Sequence, residues 1–225
     1  MSLRNTFRFI VLSLTAVVVN GEMCAQQLML VTTNASTELQ ENTQQVLNLL
    51  AEVDSDKAEA LRVRVAQAVG NENLPAGICA AIQQVLDEAC LLEVAINPES
   101  RVKVSPGPAS RALTKGEWAS HLVKVHNQAG VTAPLRASTP QAYEEGIGQQ
   151  RDAWLEIELR NSDELSYELT GATLEYRLIA LRSHATGFRS AVIAMDVGQG
   201  TADIGFRNDT LLTFRCTPPS KTSSD

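Results

Sequence analysis

The residues whose types and spacing come closest to a chemical site lie in the stretch Ala191–Asp209. An apolar run there ends in an acid, crosses glycines and continues into a second acid. Glycine amides in such a turn can cradle a phosphate, while an aspartate holds the accompanying metal ion. The candidate binding residues in this stretch are Asp196, Gly198, Gly200, Thr201 and Asp203.

The same stretch is also typical of a β-hairpin. In that interpretation Ala191–Val197 is a strand, Gly198–Thr201 is the turn, and Asp203–Arg207 is the returning strand. The phosphate turn of actin-like ATPases is similar, but their fold needs a second glycine-rich loop upstream, and none precedes this one. We therefore favour the hairpin, in which the two aspartates accept hydrogen bonds from turn amides.

Composition is that of an ordinary globular chain. The 225 residues are 44% hydrophobic and 20% charged, and only 4% are aromatic, so the core must rest on aliphatic side chains. The formal charge is −7, and the pI is about 5.1. This acidity argues against binding to nucleic acid or to an anionic membrane.

The N-terminus has the pattern of a secretory signal peptide over residues 1–21. Arg4 and Arg8 precede the apolar run Phe9–Val19, which is too short to span a bilayer. Cleavage after Gly21 or after Ala25 fits the small residues there. The sequence therefore predicts a secreted or periplasmic protein without a transmembrane span in the mature chain.

Export permits disulfides, and the chain has four cysteines. Cys79 and Cys90 lie in one helix-like stretch, about 16 Å apart along a helix, which is too far for a bridge. Cys216 pairs with one of them or all three are free thiols; Cys24 lies near the signal. The sequence contains no Cys-x-x-Cys spacing of the kind that would indicate a zinc site.

Helical periodicity covers residues 37–90, after a polar lead-in at 22–36 that we expect to be flexible. Val46, Leu49, Leu50 and Val53 form one apolar stripe, and two more follow. The segment Asp54–Asp56 offers an N-cap for a second helix. Pro75 suits the first turn of a third.

From residue 91 the period becomes that of β-strands, up to residue 216. Short strands separated by turns indicate a β-sandwich, so the predicted fold class is α+β: a helical segment followed by an antiparallel β-sandwich. Residues 217–225 form a polar tail. The predicted strands are Leu91–Ile96, Arg101–Ser105, Trp118–Asn127, Val131–Ala137, Trp154–Leu159, Leu174–Arg182, Phe188–Val197, Asp203–Arg207 and Leu211–Cys216.

No pattern of catalytic residues emerges. His121 and His126 lie an odd number of positions apart in one predicted strand, so they point to opposite faces; His184 stands alone. Neither a Gly-x-Ser-x-Gly elbow nor a metal-binding His pattern is found. We interpret the acidic pairs as solvated positions; they are Glu144 with Glu145 and Glu156 with Glu158.

Five phrases in order resemble the N-terminal region of secreted bacterial metallohydrolases of the CehA/McbA type, within the PHP phosphoesterase-like superfamily. They cover about Ala89–Cys216 and are INPESRVKV (Ile96–Val104), GPAS (Gly107–Ser110), LVKVHNQAGVTAPLR (Leu122–Arg136), LTGATLEYRLIALRS (Leu169–Ser183) and DVGQGTADIGFRND (Asp196–Asp209). The resemblance implies the family's non-catalytic region, because the metal ligands of that family belong to a downstream segment that has no counterpart here.

The sequence thus predicts an exported accessory or binding module without catalysis or cofactor of its own. Its expected partner is a protein or a component of the cell envelope. Two alternatives remain: the phosphate-binding turn described above, and an enzyme whose site forms only in three dimensions.

Overall fold

A computed structural model describes residues 27–143, 152–198 and 206–219. They form three layers, in which helices cover one face of a five-stranded sheet and a four-stranded sheet covers its other face. The α+β class with a sandwich-like pair of sheets is confirmed.

The helical layer contains α1 (Ser36–Ala51), α2 (Ser55–Val69) and α3 (Pro75–Leu86), followed by a short 3-10 turn at Asp87–Ala89. The predicted start signals are confirmed: the Asp54 side chain accepts a hydrogen bond from Lys57 N, and Pro75 occupies the first turn of α3. None of the helices in the described ranges has the length and apolar character to cross a membrane.

The nine strands of the described residues are divided between two sheets. The first sheet has the order β2-β1-β4-β7-β6 and the second the order β3-β9-β8-β5. The strands are β1 (Cys90–Ile96), β2 (Val102–Pro106), β3 (Ala112–Thr114), β4 (Trp118–Asn127), β5 (Arg136–Ser138), β6 (Leu155–Arg160), β7 (Leu174–Ser183), β8 (Gly187–Asp196) and β9 (Arg207–Thr217).

Both sheets are mixed rather than purely antiparallel. β1 pairs parallel with β4, and β3 pairs parallel with β9, while the other pairings of the described strands are antiparallel. Two parallel neighbours cannot be joined by a tight turn and need a long connection. Here the connection from β1 to β4 and the connection from β3 to β9 each contain other strands of the fold. Sequence alternation shows which residues form strands but not their direction.

Two hydrophobic clusters hold the layers together, and the alternation of β4 and β7 assigns residues to them. Val123 and Ile179 face the second sheet, whereas Leu122 and Leu178 face the helices. The first sheet is therefore covered on both faces, by the helices and by the second sheet. The outer face of the second sheet is open, and Leu211 there is 64% exposed.

Three predicted strands differ from the structure. The returning strand expected at Asp203–Arg207 and the separate strand expected at Leu211–Cys216 are replaced by continuous β9; residues 203–205 lie outside the described ranges. Of Val131–Ala137 only the end joins a strand, because the Asn127 side chain binds both the N–H and the carbonyl of Val131 and holds a loop there. β3 was not predicted, since three residues carry too little alternation.

The segment before α1 is packed, whereas a flexible lead-in was expected at 22–36. Leu28 and Val31 are buried in the cluster that they share with the helices. The side-chain amide of Gln83 accepts from Val31 N and donates to Val31 O, both at 2.8 Å. Two apolar side chains and one glutamine thus fix this part of the segment on α3.

Candidate functional site

The turn after β8 contains the predicted phosphate-binding residues, and two of them are described. Asp196 ends β8 opposite Arg207 of β9, so the two strands pair antiparallel as the hairpin interpretation requires, while residues 199–205 between them lie outside the described ranges. The carboxylate Oδ1 of Asp196 accepts a hydrogen bond from Gly198 N at 2.5 Å, as the hairpin interpretation predicts. Gly200, Thr201 and Asp203 lie outside the described residues.

One edge of β8 is only partly paired. β9 pairs with β8 along its whole length, from Gly187 to Asp196. On the opposite side, β5 pairs only with Ala194–Asp196, and no other described strand continues along that side. We call Phe188–Val192 on this side the β8 edge.

The direction of the backbone groups at this edge follows from two hydrogen bonds. Val197 N donates to Phe206 O on the β9 side, and Val192 N donates to the side chain of Gln141 on the other side. Backbone groups alternate between the two sides of an antiparallel strand. The N–H and C=O groups of Phe188 and Ser190 therefore point to the β8 edge.

Gln141 occupies the place that a neighbouring strand would take. Its Oε1 accepts the Val192 N–H at 2.9 Å, as the carbonyl of a paired strand would do. Oε1 also accepts from the Thr139 hydroxyl, which fixes the amide. The N–H of Val192, one backbone donor of the β8 edge, is thus satisfied by a side chain. Phe188 and Ser190, whose backbone groups point to the same edge, precede it in the strand.

A cleft of about 410 Å³ adjoins the β8 edge. Its wall is polar at Gln141, Asp152 and Ser190 and apolar at Trp154 and Phe188. Phe188 is 79% exposed, the largest exposed fraction among the large hydrophobic residues of the described chain. An open strand edge, a cleft and an exposed aromatic ring occur together here.

A charged cluster supports the chain that forms the far wall of this cleft. Arg182 Nε and a terminal nitrogen of its guanidinium donate to the two carboxylate oxygens of Glu156 at 3.0 and 2.7 Å. His184 Nε2 also contacts that carboxylate, and its ring stacks on Tyr143 with centroids 3.7 Å apart. His184 N donates to Trp154 O.

The electrostatics of this cluster favour an ionised carboxylate. Burial acts to raise the pKa of Glu156, but the hydrogen bonds from Arg182 and His184 outweigh it, so the pKa lies below its ordinary value. A histidine beside a carboxylate can act as a general base when it also reaches a nucleophile. Here Glu156 and Tyr143 occupy one ring nitrogen and one ring face of His184, an arrangement that positions the loop beside the cleft.

The other residues considered for chemistry are dispersed. Glu158 pairs with Arg160 at 2.5 Å rather than standing alone in solvent. His121 is buried and lines a separate cleft below α2, while His126 has a pKa lowered first by burial and then by Lys124. The pair Glu144 and Glu145 lies outside the described ranges.

The three described cysteines are buried free thiols: Cys79, Cys90 and Cys216. Burial raises the pKa of the Cys90 thiol well above its ordinary value, and the charge of Asp87 adds to the effect. Thiolates are the reactive form, so Cys90 is held in the inert one. Within the described ranges no three His, Cys, Asp or Glu residues are grouped closely enough to hold a metal ion.

Comparison with known proteins gives little guidance. No protein-family model matches the chain, and no curated protein matches it either. Domains 4 and 5 of the S-layer protein SbsC are 11% identical over 52% of this chain and 52% of that chain, with a TM-score of 0.28. A structure of SbsC domains 1–6 gives the same identity and TM-score over 52% of this chain and 15% of that one. A TM-score this low supports no inference about function.

Proposed function

We propose that this protein is an exported, non-catalytic binding module that captures an extended polypeptide segment along the β8 edge. The observation that carries the proposal is that no strand of the described residues pairs with the backbone of Phe188 and Ser190, beside the Gln141 amide. The captured segment continues the line of β5 and adds a strand to the second sheet.

The edge matches polypeptide better than other polymers because it offers donors and acceptors at the spacing of a peptide backbone. Two residues of an extended chain span about 6.6 Å, so Phe188 and Ser190 engage alternate residues of a bound strand. Of the other backbone groups of β8, those on one side pair with β9, and on the edge side β5 pairs at Ala194–Asp196 and Val192 N donates to Gln141. Pairing supplies affinity that does not depend on sequence.

Sequence preference comes from the adjoining cleft. Alternate side chains of an added strand point to the same side, so one set of them meets the wall that Trp154 and Phe188 form. Asp152 and Arg189 at the cleft bring one charge of each sign. We therefore expect a segment that alternates apolar residues with polar ones.

Two sequence features support the exported and accessory parts of the proposal. The pattern of residues 1–21 is that of a secretory signal, although these residues lie outside the described ranges. The resemblance to the non-catalytic region of CehA/McbA-type metallohydrolases supports a role beside an enzyme rather than as one. A segment of an exported hydrolase is accordingly the partner that we propose.

A peptide library displayed on phage tests the proposal. Selected peptides should bind the full chain and slow hydrogen exchange at the Phe188 and Ser190 amides. Ser190→Pro removes the edge N–H without touching the pairing with β9, since that N–H points away from β9. The matched variant Ser190→Ala loses only the hydroxyl that contacts Thr213.

The expected result is that Ser190→Pro lowers affinity at least about tenfold, while Ser190→Ala binds as the original protein does. Two forms of the peptide should be compared, one N-methylated at the odd-numbered residues and one at the even-numbered residues. One form should lose binding and the other should keep it, because only alternate N–H groups of a bound strand face β8. Equal binding by both variants, or a library that yields no binder, contradicts the proposal. Melting curves of the variants check that the sandwich is intact.

A further inference from the structure

Arg189 lies between Phe188 and Ser190, the two residues that form the open part of the β8 edge. Ala191, the next residue of β8 on the same face as Arg189, belongs to the hydrophobic cluster between the two sheets. The Arg189 side chain therefore projects on that side of the strand, where it is exposed and lines the adjoining cleft. A guanidinium thus borders the place that a captured strand would occupy.

The charge of Arg189 is not neutralised within the described part of the chain. Its Nε donates to Thr186 O at 3.3 Å. No ion pair among the described residues includes it, not even with Asp152, the acid that lines the same cleft. The two terminal nitrogens of the guanidinium can therefore donate two parallel hydrogen bonds to a carboxylate, the geometry in which arginine binds carboxylates most strongly.

The backbone of β8 determines which residue of a captured strand meets Arg189. In the antiparallel direction that β5 has, two residues of the segment exchange hydrogen bonds with Phe188 and Ser190, and the one residue between those two lies opposite Arg189. We call that residue the central residue. Opposed residues that are not hydrogen-bonded to each other have Cα atoms about 4.5 Å apart, and their side chains share one face. The central side chain therefore lies beside the Arg189 guanidinium.

We propose that Arg189 selects segments that carry aspartate or glutamate at the central residue. This inference rests on the capture of an extended segment at the β8 edge and adds the charge class of that segment. Opposite charges directly across two strands attract and like charges repel, so lysine at the central residue is disfavoured. The whole chain has a formal charge of −7, so the preference comes from this local contact and not from a general attraction of acids.

The same arginine disfavours a second copy of this chain as the occupant of the edge. If two copies paired antiparallel, with Phe188 of each bonded to Ser190 of the other, the two Arg189 side chains would lie directly opposite each other. Like charges in that position are destabilising, and charged residues on strand edges protect against pairing between copies. Attraction of one partner and rejection of another together produce binding specificity.

The test compares three forms of a peptide selected by phage display against the full chain, with Glu, Gln or Lys at the central residue. N-methylation at single positions identifies that residue, because it lies between the two residues at which a methyl group abolishes binding. Fluorescence anisotropy measures the three affinities. The Glu form should bind about fivefold more tightly than the Lys form, with the Gln form between them. The difference should shrink in about 0.5 M sodium chloride, which screens exposed charges.

Arg189→Glu reverses the charge at one exposed position and should reverse the order of the peptides. This variant should bind the Lys form about fivefold more tightly than the Glu form. Arg215→Glu is the matched control, since it makes the same change in net charge. Arg215 lies opposite Phe188 on β9, and its side chain is on the outer face of the second sheet, because the neighbouring Phe214 belongs to the cluster between the sheets. Arg215→Glu should keep the preference for the Glu form.

Two results would overturn this proposal alone. Equal affinity of the original protein for the three forms shows that the central residue is not recognised by charge. An unchanged preference for the Glu form in Arg189→Glu assigns the preference to another group. A selection that yields no binder is a different outcome, because it removes capture at the β8 edge and this proposal together.

Discussion

Lys124 of β4 and Asp87 of the 3-10 turn form a buried ion pair, with Lys124 Nζ 2.7 Å from Asp87 Oδ2. The same ammonium donates to Met29 O, and the Tyr176 hydroxyl donates to the other oxygen of Asp87 at 2.8 Å. Lys124 is fully buried. One lysine therefore joins the first sheet to the helical layer and to the segment before α1.

Lys124→Met tests this connection. The substitution leaves the Asp87 carboxylate buried without its cation, and breaking a buried pair from one side costs about 3–5 kcal/mol. We expect that loss in the free energy of unfolding, measured in urea. The double variant Lys124→Met with Asp87→Asn should recover part of it, whereas Lys103→Met, at an exposed position of β2, should change little. A loss below about 1 kcal/mol in Lys124→Met would contradict the assignment.

His121 should make stability depend on pH. Burial, and secondly the charge of Lys57, lowers the pKa of His121 from 6.5 to about 3. The unfolded chain then binds a proton below pH 6.5 that the folded chain does not, so stability is lost as the pH falls through that range. The loss is about 1.4 kcal/mol for each pH unit.

His121→Gln removes this titration. Between pH 6.5 and pH 5 the original protein should lose about 2 kcal/mol more of its unfolding free energy than the variant does. Denaturant unfolding at both pH values measures the difference. The charges that line the cleft with His121 are Lys57, Arg64 and Glu88. Parallel pH profiles of the two proteins would show that His121 protonates in the fold as it does in the unfolded chain.

Gly107, in the phrase GPAS, has a packing role that can be tested by substitution. Its N–H donates to Leu91 O, and a Cβ at this position would lie 2.1 Å from Cys90 O. That neighbour is backbone, so the strand itself must move. We expect Gly107→Ala to destabilise the fold by about 2–4 kcal/mol, measured by thermal unfolding.

Gly116→Ala is the matched control for Gly107→Ala. Gly116 has φ +83°, and no atom lies within 4 Å of an added Cβ, so only the strain of the backbone conformation is added. That strain costs about 1–2 kcal/mol. If Gly107→Ala proves no worse than Gly116→Ala, the close approach of Gly107 to β1 is not needed for stability.

The turn at Asp196 allows the hairpin interpretation to be tested against the phosphate-site interpretation. In the hairpin, Asp196 Oδ1 is engaged by Gly198 N, so we expect no change in melting temperature with ATP and Mg²⁺. A nucleotide site predicts a rise, equivalent to about 2.7 kcal/mol at a ligand concentration 100 times Kd. A rise that Asp196→Asn abolishes would restore the phosphate-binding interpretation.

Local signals in the sequence predicted much of the fold. Strict alternation placed β4 at Trp118–Asn127 with the bounds that the structure has, and Asp54 and Pro75 fixed the starts of two helices. These features depend on neighbours along the chain. The parallel pairings and the short length of β5 depend on distant segments of the chain, so no local sequence pattern predicts them.

The site could not be predicted for the same reason. The β8 edge exists because β5 stops at Ser138 and Gln141 then folds back onto Val192, a contact across 51 positions of sequence. In the sequence Glu156 belongs to an acidic pair with Glu158 and His184 stands alone, and only the pairing of β6 with β7 brings Glu156 and His184 together. Periodicity reports which face of a strand is buried, but not whether its edge is covered.

The place of β9 in the second sheet has a consequence for biosynthesis. β9 lies between β3 and β8, although it is the final strand in chain order among those described. All strands of the first sheet precede residue 184, so that sheet can assemble on the helices while the rest of the chain is still being made. β3 and β8 must wait for Arg207–Thr217 to emerge, and long-range pairing of this kind is slow. During that interval the inner apolar face of the first sheet is uncovered, which gives a chaperone time to hold the chain before the second sheet covers that face.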